Sequence, residues 1–340
     1  TIGELVRSGW RPNRTIKFAL WDAEEFGLIG STEWVEKHRR ELTEKAILYL
    51  NSDSNGKGAI RLGGSPLLED FMREVLRDTR DPVSREPLLT RARPRTGAAA
   101  TPDTETAEAG SPLRLGPLGA GSDYVPFYHH TGVASVNAGF SGDGGGVYHS
   151  VYDTIYWYTR FADTEFQYGR TLAQVMTTVL LRMADAPLLG FDFENMGTAI
   201  NRALRQVREL KGGEAVKLDD VTAEVGKLSE AAAKWEQQLR EGAWQRLDRQ
   251  TLARVNGVLF RSERALAPEA GLPGRAWYKH VYAAPGVYTG YSAKTVPAVR
   301  EALEAGRIED ANTAVPPLTA AVRELRSRVE RATEILTHRH

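Results

Sequence analysis

The chain has 340 residues, 44 basic against 44 acidic, and 41% of it is hydrophobic. That length allows two domains, or one large domain with an appendage, and the balanced charge gives no reason to expect a general nucleic-acid or membrane-surface binder. Cysteine is absent, which excludes disulfides, thiolate nucleophiles and Cys-ligated zinc; no apolar run approaches the ~20 residues of a membrane span.

The first segment, TIGELVRSGWRP, reads as the middle of an amphipathic helix and starts without Met. The sequence is therefore expected to begin inside a larger protein. TIKFAL (15–20) is the first predicted strand. WDAEEFG (21–27) follows it and opens a predicted helix. Asp22 is the expected N-cap, and Glu25, three residues on, would complete a capping box. Carboxylates in a first turn also suit the helix dipole.

The same junction has a second reading. Open α/β sheets place their sites at the carboxyl ends of parallel strands. Neighbouring helical residues point about 100° apart. One of Glu24 and Glu25 can then ligate a metal while the other takes a proton from water. AILYLN (46–51) is the second predicted strand, with Asp53 just past its end, before a Gly-rich turn. PLLEDFMREVLRDT (66–79) has helical periodicity. Residues 80–118, rich in Pro, Arg, Thr and Ala, read as a long, partly disordered surface excursion.

VPFYHHTG (125–132) reads as a helix end, where His129 and His130 suit the dipole. VASVNAGF (133–140) is the third predicted strand, and His149 follows the Gly-rich FSGDGGGV. A lone His is usually a packing or surface residue. Glu, Asp and His after three separate strands, however, make an oxygen and nitrogen set suited to zinc. A nucleophile elbow, a dinucleotide fingerprint and a P-loop are not matched. DTEFQYGRTLAQVMTTVLLRMA (163–184) is a further predicted helix.

From residue 187 onward long amphipathic helices without strands predict a bundle. The Pro/Gly/Tyr-rich LPGRAWYKHVYAAPGVYTGYSAKTVPAV (272–299) interrupts them and is expected to pack back on the first part. The predicted fold is α/β, an incomplete, mostly parallel sheet flanked by helices (1–186), followed by an all-α domain (187–340).

FALWDAEEFGLIGSTEWVE, YLNSDS, LGAGSDYVPFYHHTGVAS and YHSVYDT closely resemble the glutamate carboxypeptidase II and transferrin receptor family of zinc exopeptidases. The likeness continues through LPGRAWYKHVYAAPG into C-terminal helices similar to the transferrin receptor-like dimerisation domain. The resemblance implies a peptidase with two zinc ions and Glu24 as general base. It implies Glu25 and His149 as ligands of one ion and Asp53 as ligand of the other. It places Tyr148 where a hydroxyl stabilises the oxyanion and substrate, and Tyr291 where one contacts the substrate's terminal carboxylate. Leu28, Gly121 and Ser122 fall at pocket-lining positions. Glu33 and Glu36 fall where the family binds a structural calcium, though a solvated acidic helix face is an equal reading.

The chain also departs from the family pattern. A further His ligand and a bridging Asp have no match, so the chain as given is expected to be inactive by itself. Arginines that read an acidic side chain are replaced by Asn137 and Gly139, and a lysine by Gly290. These changes predict a carboxypeptidase-like enzyme without acidic preference, acting on peptides. The resemblance further implies a homodimer and favours an extracytoplasmic or secreted location. The alternative is a non-catalytic, receptor-like dimeric scaffold of the same fold.

Overall fold

A computed structural model describes residues 2–94, 113–143 and 146–337. Most of the predicted surface excursion, residues 95–112, lies outside them.

A short helix α1 (Ile2–Arg7) is followed by a stretch without regular structure through the TIKFAL segment. The predicted first strand is therefore not formed. A strand needs a neighbour to take its N–H and C=O groups, and among the described residues none pairs with 15–20. Phe18 is 74% exposed and Leu20 fully so. Helix α2 (Ile29–Lys45) starts later than its sequence pattern predicts. The Asp22–Glu25 capping box is not made. Asp22 Oδ1 accepts from the next amide, that of Ala23, and Leu28, in the left-handed region at φ 59°, holds the N-cap position without a side-chain cap.

The sheet contains β1 (Tyr49–Asn51), β2 (Lys57–Gly64), β3 (Arg93–Pro94) and β4 (Ser135–Asp143), in the order β1-β4-β2-β3. It is small and mixed. The β1–β4 and β2–β3 pairs are parallel, whereas β2 runs antiparallel to β4 along its whole length. β2 occupies the stretch that reads as a Gly-rich turn. Its Gly58, Ile60 and Leu62 alternate inward, the period-2 pattern of a half-buried strand. Helices α3 (Glu69–Asp78), α4 (Ile155–Phe161) and α5 (Gln167–Asp185) accompany the sheet.

Two cores form. The smaller joins α2 to the residues before β4 through Val35, Leu42, Phe127 and Val133, with Trp21, Trp34 and Tyr49 against it. Tyr49 and Phe127 stack with ring centroids 3.9 Å apart. The larger runs continuously from the sheet residues Ile60 and Val136 into the C-terminal helices. Those helices are α6 (Phe193–Glu209), α7 (Asp219–Arg240), α8 (Arg249–Leu259), α9 (Pro297–Glu304) and α10 (Ile308–Thr337). Trp235 is fully buried at the centre of the bundle, edge-on to Phe193. Glu224 of α7 is nearly fully buried and receives Arg326 Nε of α10 at 2.7 Å.

The 272–299 segment packs back on the first part, as its composition predicts. The amides of Lys279 and His280 both donate to the His129 carbonyl, and the amide of Ala120 donates to the Tyr291 carbonyl at 3.1 Å. A side chain at Gly119 would overlap that Tyr291 carbonyl, so only glycine allows the approach. The segment also folds a hairpin of β5 (Ala283–Pro285) and β6 (Ala293–Thr295). His129 and His130 lie at the end of a π-helical turn, Pro126–His130. Both are buried. The His129 ring nitrogens face the carbonyls of Ala283 and Gly119, and His130 Nδ1 faces that of Trp277.

Candidate active site

The turn between Trp21 and α2 carries the first two candidate carboxylates, Glu24 and Glu25. The amides of Gly27 and Leu28 both donate to the Glu24 carbonyl, and the amide of Gly30 donates to the Asp22 carbonyl. A Cβ at Gly30 would collide with that Asp22 oxygen, so glycine is required for α2 to close on the turn. Glu24 is half-buried and Glu25 exposed. Their directions come from this turn rather than from a helix.

Asp53 lies two residues past β1 and is exposed. Beneath it Asn51 is buried, donating to Ser122 Oγ at 3.0 Å and to Asn137 Oδ1 at 3.1 Å. Its own Oδ1 accepts from Tyr49, whose hydroxyl in turn accepts from Trp21 Nε1, both at 2.9 Å. This chain of bonds ties the end of β1 to the Glu24 turn and to the Ser122 loop. Polar groups buried in this way hold geometry because leaving one unmade costs more than the bond itself contributes.

His149 follows β4 and adopts a left-handed backbone, φ 56°. Its Nε2 lies 3.2 Å from Glu25 Oε2. The Tyr148 ring stacks on the imidazole at 3.8 Å. The Tyr148 hydroxyl is pushed up to about 12, first by burial and next by its hydrogen bond with Tyr291. It therefore stays protonated and keeps a proton to donate. Ala23, Leu28 and His149 are all non-glycine residues in the left-handed region. Such conformations cost about 1 kcal/mol or more each and tend to gather at functional sites.

The carboxylates repel one another. Partial burial raises the Glu24 carboxyl first, and the negative charges of Asp53, Asp123 and Glu25 raise it further against the opposing His149. Asp123 is not among the residues that the sequence motifs single out, although it lies within LGAGSDYVPFYHHTGVAS. It is 8% exposed, and its Oδ1 has no hydrogen-bond partner among the described residues. Burial and Asp53 both raise it, opposed by Ser31. An acidic residue beside a Gly-Ser loop that shares a surface with Asp53 was the available signal, but only the fold shows that it does so.

The structure thus brings Glu24, Glu25, Asp53, Tyr148 and His149 into one neighbourhood. Tyr291 and Gly121 border it: a Cβ at Gly121 would meet the Tyr291 ring at 3.7 Å. Ser122 is buried, and Leu28 is half-buried at the head of α2. Glu33 and Glu36 lie elsewhere, exposed along α2, with Glu36 Oε1 accepting from Trp277 Nε1 at 2.6 Å. Among the described residues they belong to no group of three or more His, Asp or Glu that could hold a metal ion.

Residues 1–166 match Peptidase family M28, and residues 216–337 match the transferrin receptor-like dimerisation domain. The chain is an M28 peptidase segment joined to a transferrin receptor-like dimerisation domain. Its relatives include a probable glutamate carboxypeptidase of Arabidopsis thaliana, LAMP1, 33% identical over 89% of this chain and 42% of the relative. The rat aminopeptidase NAALADL1 is 29% identical over 84% of this chain and 39% of its own length. An inactive zinc metalloprotease of Schizosaccharomyces pombe is 26% identical over 92% of this chain and 38% of its own. The chain spans about two fifths of the length of these relatives.

Members of the M28 family typically hold two zinc ions. The donor types here suit zinc: one imidazole and one carboxylate converge, with further carboxylates nearby and the orphaned Asp123 oxygen among them. The number of donors does not suffice. A catalytic zinc takes three protein ligands, and among the described residues no group of three or more His, Asp or Glu is assembled to hold one ion.

Proposed function

We propose that the full-length protein is a zinc-dependent exopeptidase of carboxypeptidase type, and that this chain contributes its general base, three of its metal ligands and much of its substrate pocket. The convergence of Glu25 and His149 at 3.2 Å, with Glu24 held by the same turn, supports this reading. Glu25 and His149 would hold one zinc and Asp53 the other. When bound, zinc supplies acidification of water and polarisation of the peptide carbonyl.

The chain's own groups supply the rest. Glu24 accepts the proton of the attacking water and passes it to the leaving amine. Tyr148, kept protonated, donates a hydrogen bond to the tetrahedral oxyanion. Tyr291, Leu28, Gly121 and Ser122 line the pocket, and the Tyr291 hydroxyl contacts the substrate's terminal carboxylate. Asn137 is buried against Asn51 and Gly139 lies within β4. Neither offers a cation, so acidic side chains gain nothing there and peptides with neutral or apolar residues are the preferred substrates. Glu33 and Glu36 are proposed as calcium donors only within a larger ligand set. The peptidase part spans residues 1–186 and the dimerisation part residues 187–340, and by itself this chain is inactive.

The test is metal analysis and peptide assay of the full-length protein. About two zinc ions per chain, with C-terminal trimming of neutral peptides, is the expected result. Absence of bound zinc would instead favour a dimeric scaffold without chemistry. That second reading gains weight from the inactive relative.

A further inference from the structure

A cavity of about 540 Å³ opens where α2, the end of the π-helical turn, α8 and α10 meet. Six cations line it: Arg39, Arg261, Arg264, Lys279, Arg328 and Arg331. Glu269 is the single carboxylate among its lining residues. Arg39 and Lys279 already share that carboxylate, Lys279 at 2.8 Å. Glu324 and Glu334 reach Arg328 and Arg331 at 2.8 and 3.4 Å along α10, but neither lines the cavity.

Arg264 is the decisive residue. It is 9% exposed. Among the described residues its guanidinium donates to neutral carbonyls alone, those of Phe260, Leu42 and Ala46. Its Nε has no hydrogen-bond partner among the described residues. Burial, followed by the charges of Arg261 and Arg328, lowers it to about 9 against the pull of Glu263. A buried cation facing like charges is costly unless an anion relieves it.

We propose that this cavity binds a small multivalent phosphate, such as a diphosphate or a phosphorylated metabolite. The volume lies in the range of small-molecule pockets. Guanidinium forks match phosphate oxygens in pairs. One monovalent anion would leave most of the excess charge unmatched, which is why a multivalent one is specified. The exposed Arg261, and Arg331 with 61% of its side chain exposed, stand at the mouth where a ligand enters. This inference is independent of the peptidase reading.

The test is calorimetric titration of the full-length protein with pyrophosphate at fixed ionic strength, with citrate as a multivalent anion of another class. Saturable pyrophosphate binding is expected, tighter than that of citrate. The double variant Arg261→Ala/Arg331→Ala should weaken it about 10-fold or more, since each lost charge-assisted contact is worth at least that factor. Both side chains lie at the surface, so folding is retained. The control Arg205→Ala/Arg240→Ala removes the same charge from exposed positions on α6 and α7, helices that contribute no residue to the cavity lining, and should leave affinity within about 2-fold, as exposed distant charges are screened. Absence of saturable pyrophosphate binding, equal or tighter citrate binding, or equal losses in both double variants would overturn the proposal.

Discussion

His149 Nε2 and Glu25 Oε2 meet at 3.2 Å although one precedes α2 and the other follows β4. A His and a carboxylate at that distance either pair with one another or share a cation. Both side chains are substantially exposed, at 43% and 69%, so their pairing alone contributes at most about 1 kcal/mol. Under the proposed function the pair shares a zinc ion. Replacing either by Ala in the full-length protein is expected to lower zinc affinity about 10-fold or more. Elemental analysis after dialysis against graded zinc buffers measures this, and unaltered zinc content in both variants would remove the ligand assignment.

Glu24 sits beside that pair without joining it. Glu24→Gln keeps the shape of the turn and removes the base. Peptide turnover by the full-length protein should fall about 10²- to 10⁴-fold, the usual contribution of a positioned base, while zinc content stays unchanged. Turnover within a few-fold of wild type would exclude the role.

Pocket chemistry gives a third expectation. With Asn137, Gly139 and Gly290 at the positions where cations would read acidic groups, kcat/KM on N-acetyl-aspartyl-glutamate should be lower than on neutral peptides by about 10-fold or more, the cost of lacking a charge-assisted contact. Comparable efficiencies would refute the neutral preference.

Away from the site, Glu263 and His280 are both fully buried, 3.0 Å apart, and Ser65 also donates to Glu263. Tyr128 stacks on the imidazole at 4.2 Å. The contact joins the bundle and the 272–299 segment to the end of β2. Glu263→Ala strands two buried polar partners and should destabilise the fold by about 3 kcal/mol. Urea unfolding would show a lower midpoint; an unchanged midpoint would contradict the prediction.

Glu69 provides a pH signature. It is 4% exposed, and burial raises its carboxyl to about 7 despite the Leu115 amide and Arg73. A folded value above the ordinary 4.5 means that the native state favours the protonated form. The resulting stabilisation is fully present below pH 4.5 and is lost as pH rises through 7, a change of about 3 kcal/mol by linkage. The stability difference between wild type and Glu69→Gln, followed by urea unfolding from pH 4.5 to 8, should move against wild type by that order. A pH-independent difference would mean that Glu69 is not perturbed.

The transferrin receptor-like match predicts a homodimer. Light scattering of the full-length protein at high concentration should give twice the monomer mass, and a persistent monomer would reject it.

The sequence by itself determined the residue types at the ends of the chemistry-bearing segments. It also determined the helical bundle, because a 3.6-residue apolar period is local and survives in any context. The return of the 272–299 segment was legible in its composition. Other features were decided by partners distant in the chain. TIKFAL has the composition of a strand but finds no neighbour among the described residues, whereas the glycine-rich stretch at 57–64 becomes β2 because β4 supplies its bonds. The Asp22–Glu25 capping pattern was outweighed by a left-handed turn at Ala23 and Leu28, closed by the contact of Gly30 with the Asp22 carbonyl. Nothing local shows that Asp123 faces Asp53, or that the cations around Arg264 converge. Like charges repel along a chain as in space, and only tertiary packing of α2, the turn after α8, the 272–299 segment and α10 holds those six together. Sequence can name the donors, but a site is a set of distances, and folding alone sets them.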